Sequence, residues 1–407
     1  MQIRLTAPLH LRHKTILPAS KSISNRALII HALAGGKDLP KNVSDCDDTF
    51  VMVRALTQTD DPIDIMAAGT AMRFLSAYWS VNEGTHTLTG TARMKQRPIG
   101  ILVNALRTLG AQIEYVETEG YPPLRISGGL HEGGRLSLPG DVSSQYISAL
   151  LMIGPVLRKG LELELTGQVI SRPYIDLTLS ALADFGVTAR WLDERRLAVP
   201  GGQHYRPCPY RVEGDYSQAA FPAVLGAVRG GVTVTSLRPD SLQGDAAILD
   251  ILTRCGANFT RTGDEVRFEA SPLRATAIDL AACPDLGPIL MVLGLFCEGD
   301  TVITNAGRLR IKESDRIAAM QEELAKFGGQ VLAEGETVTV KGLGGALCAP
   351  TRPLNSHNDH RVAMALAIAA WAAGLPACLE DAGAVAKSWP TFFADMAQGL
   401  DARWQEV

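Results

Sequence analysis

Apolar residues recur along the chain at three- and four-residue spacing in stretches that end on glycine. Each stretch gives way to a short run rich in β-branched residues. That order predicts helices with glycine C-caps followed by strands. One form of the unit is an amphipathic helix, Gly, a strand, a polar turn and a second strand. It occurs at 101–110 then 112–116, 175–186 then 188–191, 246–256 then 258–260, and 316–328 then 330–333. The glycines at 110, 186, 256 and 328 are 76, 70 and 72 residues apart. A second form has a small or polar start, an apolar helix, Gly and a β-branched strand. It ends near Gly35, Gly84, Gly160, Gly230, Gly299 and Gly374, at spacings of 49, 76, 70, 69 and 75. Two helices and about four strands per 70 residues, six times over, describe a repeated α/β architecture. After Leu56 the chain reads Thr57-Gln58-Thr59-Asp60-Asp61-Pro62, with no capping Gly and no hairpin, so a truncated first unit is expected. Ordinary helix–Gly–strand alternation is the competing description, and the regular spacing favours the repeat. Doubly wound and (β/α)₈ folds lack the hairpin after alternate helices. Six equal units suggest two threefold pseudo-symmetric lobes, divided near 203–210 and Glu213-Gly214-Asp215.

Composition narrows the class of protein. The chain has 407 residues, with 46% hydrophobic and 20% charged, which is globular and not disordered. A formal net charge of −4 argues against a dedicated nucleic-acid binder but leaves room for a local cationic pocket. The seven cysteines are scattered, with no Cys-x-x-Cys pair, so neither a disulfide framework nor a zinc site is expected. The N-terminus enters a strand at once, without an apolar leader. Residues 362–379 carry no charge, but Gly374 and Pro376 interrupt them. About 12 helical residues span about 18 Å, short of the roughly 30 Å of a bilayer core. A cytoplasmic, reducing location is expected.

Unusual polarity gathers at the predicted helix starts. Ser20-Lys21-Ser22 and Asn25-Arg26 lead into a helix at 27–33, where hydroxyls, cations and free N–H groups make an anion site. A Ser-capped surface helix is the alternative. In Ala68-Gly69-Thr70-Ala71-Met72-Arg73, Gly69 either lets backbone approach a ligand or belongs to a plain cap. Arg93, Lys95 and Arg97 follow a strand at 85–89, as ligand contacts or as a solvated basic loop. Ser143-Ser144-Gln145 opens a helix at 146–157, and Ser171-Arg172-Pro173-Tyr174 opens the next; each can bind phosphate or merely cap. In Lys312-Glu313-Ser314-Asp315-Arg316, Lys312 and Arg316 stand at i,i+4 of an expected helix. Like charges there oppose folding by about 0.2–0.5 kcal/mol; an anion between them reverses that sign, or Glu313 and Asp315 compensate locally. Asn358-Asp359-His360-Arg361 precedes an all-apolar, hence buried, helix at 362–373. Asp285 heads the apolar run at 286–297, as cap or as functional carboxylate, and Lys387 stands alone before Trp389-Pro390. Lys21, Arg26, Arg97, Lys312, Arg316, Arg361 and Lys387 all fall at element ends. Converging on one cleft, they would suit two phosphorylated or carboxylated substrates, since a phosphate carries about −1.5 to −2 charges. The sequence shows no metal-ligand cluster, Walker motif or Gly-x-Gly-x-x-Gly.

In order and nearly end to end, these segments resemble the enolpyruvyl transferases, most closely the branch serving the shikimate pathway to aromatic amino acids. The shared landmarks run from Ser20-Lys21-Ser22 and Ala68-Gly69-Thr70-Ala71-Met72-Arg73 through Arg97-Pro98-Ile99-Gly100, Ser143-Ser144-Gln145 and Ser171-Arg172-Pro173-Tyr174-Ile175-Asp176. They continue with Glu213-Gly214-Asp215, Lys312-Glu313-Ser314-Asp315-Arg316, Asn358-Asp359-His360-Arg361 and Ala386-Lys387-Ser388. The resemblance implies an α/β (α+β) fold of two lobes, each a pseudo-threefold array of βαβαββ units (an inside-out α/β barrel), with the active site in the interlobe cleft. Residues 18–213 would form the N-terminal lobe, and 1–17 plus 214–407 the C-terminal lobe. It implies phosphoenolpyruvate and shikimate 3-phosphate as substrates, no cofactor or metal, no nucleic-acid or membrane partner, and a monomer. Lys21, Ser22, Arg26, Ser143, Ser144, Gln145, Ser171, Asp285 and Lys312 would hold shikimate 3-phosphate. Lys21, Gly69, Arg97, Gln145, Arg316, Arg361 and Lys387 would hold phosphoenolpyruvate. Asp285 would accept the proton of the substrate 5-hydroxyl, and Glu313, with Lys21, would protonate C3 of phosphoenolpyruvate. Arg308, Ala67 and Phe74 depart from common family residues, and Arg308 is left out of the site.

Two other readings compete. The sister transferase acting on UDP-N-acetylglucosamine carries a reactive Cys in the loop matching 91–97; here no Cys lies between Cys46 and Cys208. A non-catalytic anion-binding scaffold would not need Asp285, Glu313 and Lys387 together.

Overall fold

The ten glycines that mark the repeat all adopt φ between 66° and 105°, a region that L side chains rarely enter and glycine enters freely. Each lies within a few residues of a helix end, so the periodic glycines are the joints of the architecture. The computed structural model describes residues 1–6, 12–36, 38–57, 61–398 and 404–406. In chain order the helices are α1 (Lys21–Leu33), α2 (Asp47–Thr57), α3 (Gly69–Val81), α4 (Gly100–Thr108), α5 (Ser144–Ile153) and α6 (Arg172–Asp184). They continue as α7 (Tyr216–Arg229), α8 (Ala247–Arg254), α9 (Gly287–Phe296), α10 (Arg316–Ala325), α11 (His360–Ala373) and α12 (Phe392–Ala397).

The chain forms two compact units, Ala19–Val212 and Met1–Pro18 with Glu213–Val407. The first is inserted between strand His13–Ile16 and α7, and the amide of Asp215 donates to the carbonyl of Pro18 at 3.0 Å where the chain returns. Among the described residues the first unit carries two four-stranded sheets. One runs Ile63–Asp64, Thr85–Thr89, Leu124–Ser127, Gln112–Tyr115; the other runs Gly134–Pro139, Leu161–Thr166, Arg196–Val199, Arg190–Trp191. Among the described residues the second unit carries three. Their leading strands are His13–Ile16, Ala277–Asp279 and Leu354–Asn355. In every sheet the first two strands are parallel and the rest antiparallel. In the sheets led by Ile63–Asp64, Gly134–Pro139 and Ala277–Asp279 one helix connects the parallel pair and a second leads on to the antiparallel strands, which is the βαβαββ order. In the sheet led by His13–Ile16 the other unit is inserted before the connecting helix α7. In the last sheet Ile3–Leu5 lies between Ala377–Glu380 and Trp404–Glu406 and pairs with both.

Six helical repeats thus stand with five sheets among the described residues. In the first repeat α2 ends at Thr57 and strand Ile63–Asp64 already belongs to the next sheet. Of the truncated segment, Gln58, Thr59 and Asp60 lie outside the described residues.

Alternate helices form the cores. In the first unit α1, α3 and α5 pack on one another; in the second α7, α9 and α11 do. Every residue of α9 is buried, and all of α11 up to Ala372. On α11 alone Val362, Met364, Leu366, Ile368 and Trp371 are fully covered, each worth about 1.5–3 kcal/mol of burial. Helices apolar all round leave only their ends for polar groups. The helix expected at 146–157 instead starts at Ser144 and turns to a 3-10 segment at Gly154–Val156, because Pro155 has no N–H to continue the ladder. Among the described residues no helix is long and apolar enough to cross a membrane.

Candidate active site

In the unit containing Glu213–Val407, the starts of α9, α10 and α11 and the turn at Ala382–Lys387 bring seven charged side chains together. Asp285 Oδ1 lies 3.4 Å from Lys312 Nζ and 3.2 Å from Arg316 Nη1, and its Oδ2 lies 3.5 Å from Arg361 Nη2. Glu313 bridges Arg316 Nη2 at 2.9 Å and Lys387 Nζ at 3.3 Å. Asp359, fully buried, accepts from Arg316 Nε at 2.9 Å and Nη2 at 3.3 Å and from the Ser314 hydroxyl at 3.1 Å. It also accepts from the Arg361 amide, capping α11. Four cations meet three carboxylates, a formal excess of one positive charge. Burial pushes the Asp285 carboxyl up, but Lys312, Arg361 and Arg316 outweigh it and hold it well below the ordinary carboxylate range. Burial lowers the Lys312 ammonium below its usual value, Arg316 adds to that, and Asp285 opposes both. Burial also works against the Arg316 charge, yet Asp359, Glu313 and Asp285 raise its pKa.

In the unit Ala19–Val212 the starts of α1, α3 and α5 supply the polar groups. Lys21 Nζ pairs with the buried carboxylate of Asp48 at 3.1 Å. Gly69 admits Arg97: a Cβ there would lie 2.6 Å from Nη1 and 2.7 Å from Nη2. Arg97 donates to the Ala67 carbonyl at 3.5 Å. Beside it, buried Arg73 ties the Gly69 carbonyl to that of Pro98 at 3.1 Å each, fixing the loop that carries Arg97. Gln145 Nε2 reaches Thr70 Oγ1 at 3.1 Å, joining the starts of α3 and α5. Ser143 caps α5 by accepting from the Gln145 amide, and Ser144 is buried. Ser171 is buried with left-handed φ of 54° at the start of α6 and makes no side-chain cap bond. Arg26 is buried and donates to Thr178, to Ser148 and to the carbonyls of Ser22 and Tyr174. Its guanidinium lies over the Phe74 ring, 5.4 Å from the centroid. Burial lowers its pKa to about 10, so it stays charged at neutral pH.

Several local expectations change. Lys312 and Arg316 do not share a helix: Lys312 is extended, and Asp315 caps α10 at Arg316 by accepting from the amides of Ile317 and Ala318. The two cations meet through Asp285 and not through helical spacing. Asp285 makes no helix-capping side-chain bond; it lies in the turn Pro284–Leu286 and faces cations. Asp48 and Asp359 were missed as partners of the cations. A hint for Asp48 was the pair Asp47-Asp48, and for Asp359 its place one residue before His360-Arg361. Glu322, Glu323 and His357 form a grouping not seen in the sequence, with ligand atoms within 4.8 Å of one another. Glu323 and His357 are 34 residues apart, and Lys326 already bonds both Glu323 oxygens at 2.8 and 2.9 Å.

Residues 56–396 match the family described as EPSP synthase (3-phosphoshikimate 1-carboxyvinyltransferase). The chain belongs to the EPSP synthase family. A curated relative named 3-phosphoshikimate 1-carboxyvinyltransferase, from Bacteroides fragilis, is 45% identical over 402 residues, covering 97% of each chain. One of the same name from Pseudoalteromonas atlantica is 36% identical over 410 residues, covering 94% of this chain and 95% of its own. Among solved structures, EPSP synthase from Acinetobacter baumannii superposes with a TM-score of 0.83 at 24% identity and full coverage of both chains. The enolpyruvyl transferase NikO from Streptomyces tendae gives 0.77 at 18% identity, covering 100% of this chain and 98% of its own. The α/β fold and the enolpyruvyl transferase family expected from the motifs are those found.

Proposed function

We propose that this chain transfers the enolpyruvyl group of phosphoenolpyruvate to the 5-hydroxyl of shikimate 3-phosphate and releases phosphate, through a tetrahedral intermediate. The observation that carries the reading is the cluster around Asp285, a carboxylate held by three cations beside Glu313, which is itself paired with two. Family membership supports the same substrates.

In this reading Lys21, Ser22, Arg26, Ser143, Ser144, Gln145, Ser171, Asp285 and Lys312 serve shikimate 3-phosphate, and Lys21, Gly69, Arg97, Gln145, Arg316, Arg361 and Lys387 serve phosphoenolpyruvate. Asp285 takes the hydroxyl proton while the oxygen attacks C2. Glu313, with Lys21, supplies the proton that makes C3 a methyl group. The second step reverses the C3 transfer: C3 gives up a proton, the C2–O bond to phosphate breaks, and the enol ether remains. A carboxylate held far below its ordinary range is a poor base. Anionic substrates compensate the cations that depress it, so Asp285 gains basicity when both are bound. The arginines and Lys387 neutralise the leaving phosphate.

The protein is taken to act in the cytoplasm as a monomer on these small molecules; seven free cysteines support a reducing compartment. Phosphate release by the purified chain tests the reading. Release is expected only with both phosphoenolpyruvate and shikimate 3-phosphate. Release with UDP-N-acetylglucosamine in place of shikimate 3-phosphate, or with phosphoenolpyruvate alone, overturns it.

A further inference from the structure

We propose that Ser217 is a positioning residue that sets the Arg361 guanidinium for phosphoenolpyruvate, an inference resting on the reading of Arg361 as a ligand of that substrate. Arg361 is buried, and both of its terminal nitrogens are anchored on this one residue. Nη1 donates to the Ser217 carbonyl at 3.1 Å and Nη2 to the Ser217 hydroxyl oxygen at 2.7 Å. Nη2 is the same atom that faces Asp285 Oδ2 at 3.5 Å, so Ser217 also sets the distance between Arg361 and the proposed base.

The hydroxyl has a defined orientation. Its proton goes to Asp215 Oδ1 at 2.5 Å, which leaves its lone pairs for Arg361. Asp215 is buried and held in turn by the amides of Ser217 and Gln218 at 2.9 and 3.3 Å. Capping of α7 is therefore done by Asp215, and the helix does not need a hydroxyl at position 217. Two of the five N–H donors of the guanidinium are spent on Ser217, and the plane they define fixes where the others point. A bidentate anchor of this kind holds a planar cation in one pose.

Steady-state kinetics on the full chain tests the proposal, with Ser217→Ala, Ser217→Thr and Arg361→Lys compared. Ser217→Ala is expected to raise KM for phosphoenolpyruvate about ten- to a hundredfold, the loss of one hydrogen bond to a charged group. KM for shikimate 3-phosphate should change less than threefold. Ser217→Thr, which keeps the hydroxyl, should return KM for phosphoenolpyruvate to within about threefold of the parent. A Ser217→Ala enzyme with unchanged KM for phosphoenolpyruvate, or with equal losses for both substrates, overturns the proposal. If Ser217→Ala does not fold, Ser217→Cys, similar in size with a weaker acceptor, must show the same selective rise; an unchanged KM there overturns it equally. Arg361→Lys separates the two claims. If it leaves KM for phosphoenolpyruvate unchanged, the reading of Arg361 fails; if it raises KM while Ser217→Ala does not, only the role of Ser217 fails.

Discussion

Replacing Gly69 with alanine should leave the fold intact while weakening phosphoenolpyruvate binding, so stability and affinity move independently. The added Cβ would stand 2.6 Å from Arg97 Nη1 and 2.9 Å from Cζ. These atoms are the far end of a flexible side chain, so Arg97 moves and the helix does not. To reach ordinary contact at 3.4 Å the guanidinium retreats by about 0.8 Å. A hydrogen bond to a charged group is worth about 1.5–3 kcal/mol, and each 1.4 kcal/mol is a factor of about ten. KM for phosphoenolpyruvate should therefore rise about tenfold or more. Alanine at the first position of α3 removes the backbone entropy of glycine, a gain of up to about 1 kcal/mol. The assay is phosphate release with phosphoenolpyruvate varied at saturating shikimate 3-phosphate, then the reverse, beside a thermal scan. A KM for phosphoenolpyruvate within twofold of the parent, or a fall in Tm of more than 5 °C, would refute the reasoning.

Asp359→Asn removes one charge from a fully buried pair with Arg316, a class of change that costs about 3–5 kcal/mol, partly offset here because Asp285 and Glu313 remain on Arg316. Tm should fall by at least about 5 °C at about 2–4 °C per kcal/mol; circular dichroism showing less than 2 °C contradicts the network. Burial lowers the His13 pKa to about 4 against an opposing pull from Asp395. Its folded value lies below the ordinary 6.5, so the unfolded chain binds the extra proton and stability falls as pH drops from 6.5 toward 4, by about 3 kcal/mol when complete. His13→Gln should flatten that slope in melts taken across the window, and an unchanged slope removes His13 as its source. Asp285→Ala should abolish turnover while calorimetry still detects shikimate 3-phosphate binding; retained turnover removes its role as the base.

The architecture was legible where a local rule forces a residue type. Gly110, Gly186, Gly256 and Gly328 announce helix ends because positive φ is costly for other residues, and their period exposes the repeat. Val362 to Ala373 announces an interior helix because no face of it is polar. Helix-start cations were legible for the same reason, since a positive side chain at a positive dipole end needs an explanation. What could not be read was set by contacts distant in sequence. Asp48 meets Lys21 across 27 residues, and Arg316 meets Asp359 across 43. Serine at 217 looks like an ordinary second residue of a helix, and the bond its hydroxyl accepts from Arg361 spans 144 residues. The i,i+4 spacing places Lys312 on a helix because it is blind to a cap: Asp315 caps α10, which begins at Arg316, four residues after Lys312.

The central claim is the transfer itself, and product analysis addresses it directly. The purified chain, incubated with phosphoenolpyruvate and shikimate 3-phosphate and then quenched, is followed by phosphorus and proton NMR. One equivalent of inorganic phosphate should appear together with a vinylidene pair on an ether at the 5-oxygen. Phosphate accompanied by free pyruvate, with shikimate 3-phosphate unchanged, would contradict the account.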